Sequence, residues 1–117
     1  PNCLVQGNEL RIIDHELAFA HRLILLWRAP WVLGGMKDLE TPGRHIFVRE
    51  LKGAPIDFAA IKSRWDGLSD ARLQEYGKAI PSEWAAAQAD IDAALKLIAD
   101  ARDNIDGCIT ELGRVLA

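Results

Sequence analysis

The chain has 117 residues, half of them apolar, with 14 Lys plus Arg against 17 Asp plus Glu and a net charge of −3. That balance excludes intrinsic disorder, which needs low hydrophobicity and high net charge, and the mild acidity argues against a generic nucleic-acid binder. No apolar run reaches the ~20 residues that a membrane span requires.

The first predicted element is a hairpin. Cys3 to Gln6 is a short apolar run, Gly7-Asn8 is a turn pair, and the run resumes from Glu9 to Ile13. A two-residue turn pairs Gln6 with Glu9, Val5 with Leu10 and Cys3 with Ile12. Cys3, Val5, Leu10 and Ile12 then share an apolar face, while Gln6, Glu9 and Arg11 share the other. After Asp14 the period becomes helical. Leu17, Ala20, Ile24 and Trp27 fall on one face, and Leu23-Ile24-Leu25-Leu26-Trp27 is apolar nearly all round, which predicts a buried helix stopped before Pro30. Residues 30–41 read as a loop containing Gly34-Gly35. Thr41-Pro42 reads as an N-cap and first helical position, so His45 to Val48 is expected to be helical and to end near Gly53. A strand is the alternative there, because Ile and Val favour one.

Phe58, Ile61 and Trp65 keep helical spacing, with Gly67 as C-cap. Ser69 caps the next helix, with Leu68 and Leu73 placed as a staple. Ser82, following Pro81, is expected to cap a long last helix over 83–116. Along it Trp84, Ile91, Ile98, Ile105 and Leu112 lie seven apart, and Ala87, Ala94, Ala101, Cys108 and Val115 form a second row. This seam spans about 50 Å if unbroken, and Gly107 is its weakest point. The expected fold is mostly α, in one domain over 1–117: a short N-terminal β-hairpin and about five helices.

Cysteine usage and the chain's start bear on context. Cys3 and Cys108 lie far apart and form neither a disulfide framework nor a zinc spacing. With no signal-peptide pattern, the expectation is a soluble protein in the reducing cytoplasm. The sequence opens at Pro1 without Met. A removed initiator is one explanation; the other, favoured here, is a piece of a longer protein cut where an active site begins.

The chemistry-bearing residues cluster at the mouth of the hairpin. The register above brings Asn2 and Asp14 to the open end on adjacent strands, about 4.8 Å apart. An amide oxygen and a carboxylate suit a hard cation such as Mg²⁺, which takes few protein oxygens and completes its shell with water and phosphate. The structural alternative makes Asn2 a turn residue and Asp14 a helix cap.

The strings Pro1-Asn2-Cys3-Leu4-Val5 and Leu10-Arg11-Ile12-Ile13-Asp14-His15-Glu16-Leu17-Ala18-Phe19 resemble the metal-binding hairpin of kinase-like phosphotransferases. The Ile-Asp-His form, with Leu68-Ser69-Asp70 and Ala79-Ile80-Pro81-Ser82-Glu83-Trp84 further on, looks most like the HipA-like kinase family. The likeness is sharp only over the first nineteen residues. It implies that residues 1–15 form a metal-binding hairpin and 16–117 a helical subdomain of a C-terminal kinase lobe. It further implies that Asn2 and Asp14 ligate Mg²⁺ and orient ATP, with His15 positioning Asp14 by a hydrogen bond. His15 and Glu16 stand where protein kinases carry Phe and Gly, which departs from the usual activation-segment switch. The catalytic base, the nucleotide-anchoring Lys and the Gly-rich loop have no counterpart in these 117 residues. The chain alone is therefore expected to be inactive, and its parent to transfer the ATP γ-phosphoryl to a protein or small-molecule hydroxyl.

The remaining candidates are weaker. His15, His21 and His45 fit no helical ligand pair, and Ser63, Ser69 and Ser82 sit in helical or capping contexts. Of Trp27, Trp31, Trp65 and Trp84, most read as core, with one or two placed to line a groove. The segment 30–44 follows Asp14 as an activation segment does and so borders the acceptor side. The main rival is a non-catalytic interaction module that dimerises through the seam of residues 84–116. The small Ala and Cys residues of the second row favour packing within the domain instead.

Overall fold

The computed structural model describes residues 3–7, 9–13, 19–41, 43, 45 and 47–117. Two strands, β1 (Cys3–Gln6) and β2 (Glu9–Ile12), pair antiparallel. Five α-helices follow among the described residues: α1 (Val48–Leu51), α2 (Phe58–Asp66), α3 (Asp70–Lys78), α4 (Gln88–Asp103) and α5 (Ile105–Leu116). Short 3-10 segments occupy Ala20–Leu23, Lys37–Glu40 and Ser82–Ala87. The chain is thus mostly helical behind a small hairpin, as the periodicities predict, and no described helix is long and apolar enough to cross a membrane.

The hairpin register matches the sequence reading: Cys3 faces Ile12, Leu4 faces Arg11, Val5 faces Leu10 and Gln6 faces Glu9. Gly7 closes the turn at φ +58°, a conformation costly for a residue with a Cβ. The apolar side chains remain uncovered, however. Val5, Leu10 and Ile12 are all more than half exposed, as is Leu4 on the opposite face.

The helical body is built on caps and one packed face. Asp57 Oδ1 accepts from the Ala60 N–H at 2.9 Å and starts α2. Ser69 Oγ accepts from the Arg72 N–H at 3.2 Å and starts α3, as expected. Gly67 does take the C-cap position of α2, although at φ −74° it needs no glycine freedom there. α2 packs on α5, and α3 on α4. Leu73, Ile105, Val115 and Leu116 are the most buried apolar residues. Arg102 ties α4 to the α2–α3 connection, donating to Leu68 O at 2.9 Å and Asp70 at 2.7 Å. The Gly53 N–H donates to Leu116 O at 2.7 Å, joining the end of the α1 turn to the last turn of α5.

Four expectations are corrected. The buried helix across Leu17 to Trp27 is absent over its described part: only Ala20–Leu23 forms a 3-10 turn, and Ile24 is extended at φ −93°, ψ 113°. A helix apolar on every side is stable only when covered on every side. Here Ile24 and Trp27 line a cavity yet stay 56 % and 36 % exposed, and Leu23, Leu25 and Leu26 stand at 84 %, 90 % and 88 % exposure. Second, the helix expected from His45 begins only at Val48 and has no side-chain cap. Pro42 and Ile46 lie outside the described residues. Third, Ser82 caps nothing; it opens a 3-10 segment, and the Trp84 N–H turns back onto Pro81 O at 3.0 Å.

Fourth, the long helix over 83–116 is three pieces, and its main break falls at Asn104, not Gly107. Asn104 sits at φ −115°, ψ 27°. Its side-chain amide donates to Asp100 O at 2.8 Å, beside the bond from its own backbone N–H at 3.1 Å. That local competition with the ladder kinks the helix. Gly107 has a different role: a Cβ there would meet Trp31 O at 2.6 Å and Trp31 Cβ at 3.0 Å. The missing side chain lets the Trp31 backbone lie directly on α5.

The fold is open for its size. Its radius of gyration of 15.6 Å exceeds the about 13 Å of a compact chain of this length. Its accessible surface of 8976 Å² exceeds the about 6,300 Å² of a folded monomer of 13.0 kDa.

The two α5 glycines respond oppositely to alanine. Gly107→Ala overpacks the Trp31 contact and lowers stability by about 1–3 kcal/mol. Gly113→Ala, where nothing lies within 4 Å of the new Cβ, raises it by up to about 1 kcal/mol through helix propensity. Urea unfolding of the two variants checks both signs.

Candidate functional site

Asn2, Asp14 and His15, the residues that sequence reasoning assigns to metal binding, lie outside the described residues, as does Glu16. The last described pair of the hairpin is Cys3 with Ile12, one residue after Asn2 and two before Asp14 in sequence. Among the described residues, no group of three or more His, Cys, Asp or Glu side chains is placed to hold a metal ion.

A second feature carries no sequence motif. Between the segment 19–36 and helices α2, α4 and α5 lies a cavity of about 450 Å³. Its floor is aliphatic, with Ile98, Ile105 and Ile109 from α4 and α5, and its walls include Trp27 and Trp65. Two tryptophans therefore line a groove, as the sequence allows. Trp31 packs on Gly107, and Trp84 stands 62 % exposed. Besides the two indole N–H groups, His21 and Arg28 bring the ring nitrogens and guanidinium that interrupt the aliphatic surface of the described lining. His21 Nδ1 lies 3.0 Å from Phe19 O, and its ring tilts against Trp27 at a centroid distance of 5.0 Å. Arg28 is exposed, and among the described residues it donates from Nη1 to Leu33 O at a long 3.4 Å. No carboxylate is among the described lining residues. Cys108 also lines the cavity; burial raises its thiol pKa above the ordinary range, so it is mostly protonated at neutral pH. A smaller cavity of about 320 Å³ shares His21 and Trp27 as walls. Its one acid, Asp100, is paired with Lys96 at 2.7 Å.

The wall formed by residues 34–40 is held by one buried acid. Glu111 on α5 is only 3 % exposed. Its Oε1 accepts from the Gly34 N–H at 2.8 Å and from the Met36 N–H at 3.4 Å. Arg114, one turn on, donates to both of its oxygens at 2.8 and 2.9 Å and also to Glu40. The Arg114 hydrogen bonds, with help from the two backbone donors and against the pull of burial, hold the Glu111 pKa down at about 2. The i,i+3 spacing to Arg114 is visible in the sequence, but the backbone donors that fasten the loop to Glu111 lie more than seventy residues away and are not.

No family model matches the chain, no curated protein does, and no solved structure does.

The depressed Glu111 pKa fixes a pH dependence. Its ionised form contributes stability that is complete above the ordinary value of 4.5 and lost as pH falls toward about 2. Glu111→Gln should lower the thermal midpoint at pH 7 by several degrees, and its gap to the parent protein should narrow between pH 4.5 and 2. Thermal melts across that range check it; a gap independent of pH would show that the charge contributes nothing.

Proposed function

We propose that the chain is the C-terminal lobe of a HipA-like ATP-dependent kinase whose hairpin supplies Mg-ATP ligands and whose helices form the acceptor side. The hairpin is the observation that carries this reading. Its described strands pair antiparallel from Cys3–Ile12 to Gln6–Glu9, which is compatible with the resemblance, and its apolar side chains stand uncovered by the described residues. The surplus of accessible surface over a folded monomer has the size of a substantial interface, which suits a lobe that completes its packing against other chain segments.

In this reading the Asn2 amide oxygen and the Asp14 carboxylate are the two hard donors for Mg²⁺, and that donor chemistry fits the ion. His15 positions Asp14. The metal, when bound with ATP, neutralises phosphate charge. The base and the nucleotide-anchoring residues come from the preceding part of the parent. The acceptor is a protein or small-molecule hydroxyl. The uncovered surface equally serves a non-catalytic interaction module, and metal binding separates the two.

Titration of the chain with Mn²⁺, followed by amide line broadening, should affect Cys3 and Ile13 first, and Asp14→Asn should remove the effect. Broadening scattered over the acidic surface, or unchanged in that variant, would reject the metal assignment. In the intact parent, Asp14→Ala should lower phosphoryl transfer by about a thousandfold, roughly 4 kcal/mol of transition-state stabilisation, with an unchanged circular dichroism spectrum. Full turnover in that variant would overturn the kinase reading.

A further inference from the structure

We propose that the cavity between the segment 19–36 and helices α2, α4 and α5 binds a small amphiphile: an aliphatic chain ended by a carboxylate. The inference is independent of the kinase reading. Its volume of about 450 Å³ falls within the roughly 300–1,000 Å³ of small-molecule sites. The floor offers isoleucine side chains and no polar group that a methylene chain would strand. Charge complementarity sets the other end. Arg28 is an exposed residue of the lining; among the described residues its side-chain hydrogen bond is a long one to Leu33 O, and its guanidinium carries five N–H donors. His21 lines the same cavity, and the charged side chain among the described lining residues is the cation Arg28. A planar guanidinium recognises a carboxylate through paired charge-assisted bonds. The ligand thus places its chain over Ile98, Ile105 and Ile109 and its head at Arg28.

Calorimetry with hexanoate, octanoate and decanoate tests the apolar part. Each added methylene should tighten binding about fourfold until the cavity is full. Decanoate and 1-decanol test the head: the acid should bind about ten- to a hundredfold more tightly. Arg28→Ala should bring the acid down to the alcohol. Cys108 reports location, because decanoate should slow its alkylation by iodoacetamide at least about tenfold, the fractional occupancy expected at ten times the dissociation constant. Cys3, in the hairpin, should react at an unchanged rate. Equal affinity for acid and alcohol would overturn the assignment of the head. Absence of decanoate binding at millimolar concentration, or binding that leaves Cys108 unprotected, would overturn the site. The acid–alcohol comparison uses the unaltered chain, so it decides the matter even if Arg28→Ala fails to fold.

Discussion

The carboxylate of Glu111 organises the part of the molecule that has no regular structure. A buried carboxylate is costly unless its lone pairs are filled. Here two backbone N–H groups of the 34–36 turn and a two-pronged arginine fill them. The same bonds that compensate the acid fasten the loop to α5. Gly35 and Met36 on that loop wall the cavity, and Trp31 just before it rests on Gly107. The interior between loop and helices is therefore held from two sides, by an ionic clamp at one turn of α5 and a close backbone contact at another.

Legibility in the sequence followed the range of the interactions. The hairpin register could be read because alternation and a Gly-Asn turn fix it within twelve residues. The caps Asp57 and Ser69 act over three residues. The end of α2 at Gly67 and the start of α3 at Ser69 are legible, whereas the Asp57 cap is not. The segment Leu23 to Trp27 was misread because its composition states that it is apolar but not whether anything covers it. The break at Asn104 has no helix-breaking residue type to announce it, whereas Gly107 is weak on propensity and is instead a contact. Of the candidate sites, the aromatic lining was half legible, in that tryptophans signalled a groove without its position. The Glu111 clamp shows locally only as an i,i+3 pair with Arg114; its loop partners lie 75 to 77 residues away.

The hairpin and the helical body illustrate two ways of meeting water. In the body, apolar side chains of α5 pack toward α2 and the 37–40 segment, and Ile105 and Val115 are 6 % and 4 % exposed. In the hairpin, alternation is just as regular, yet its apolar face is uncovered. A two-stranded hairpin is marginal by itself in water.

The arrangement of the four indoles has an optical consequence. Trp27, Trp31 and Trp65 surround or adjoin one cavity, while Trp84 stands in solvent on a separate 3-10 segment. The intrinsic emission of the chain is then a sum of a nearly constant red component and a bluer component from the cavity walls. Wetting of that single interior shifts only the second, so the spectrum follows the state of the cavity without any added label.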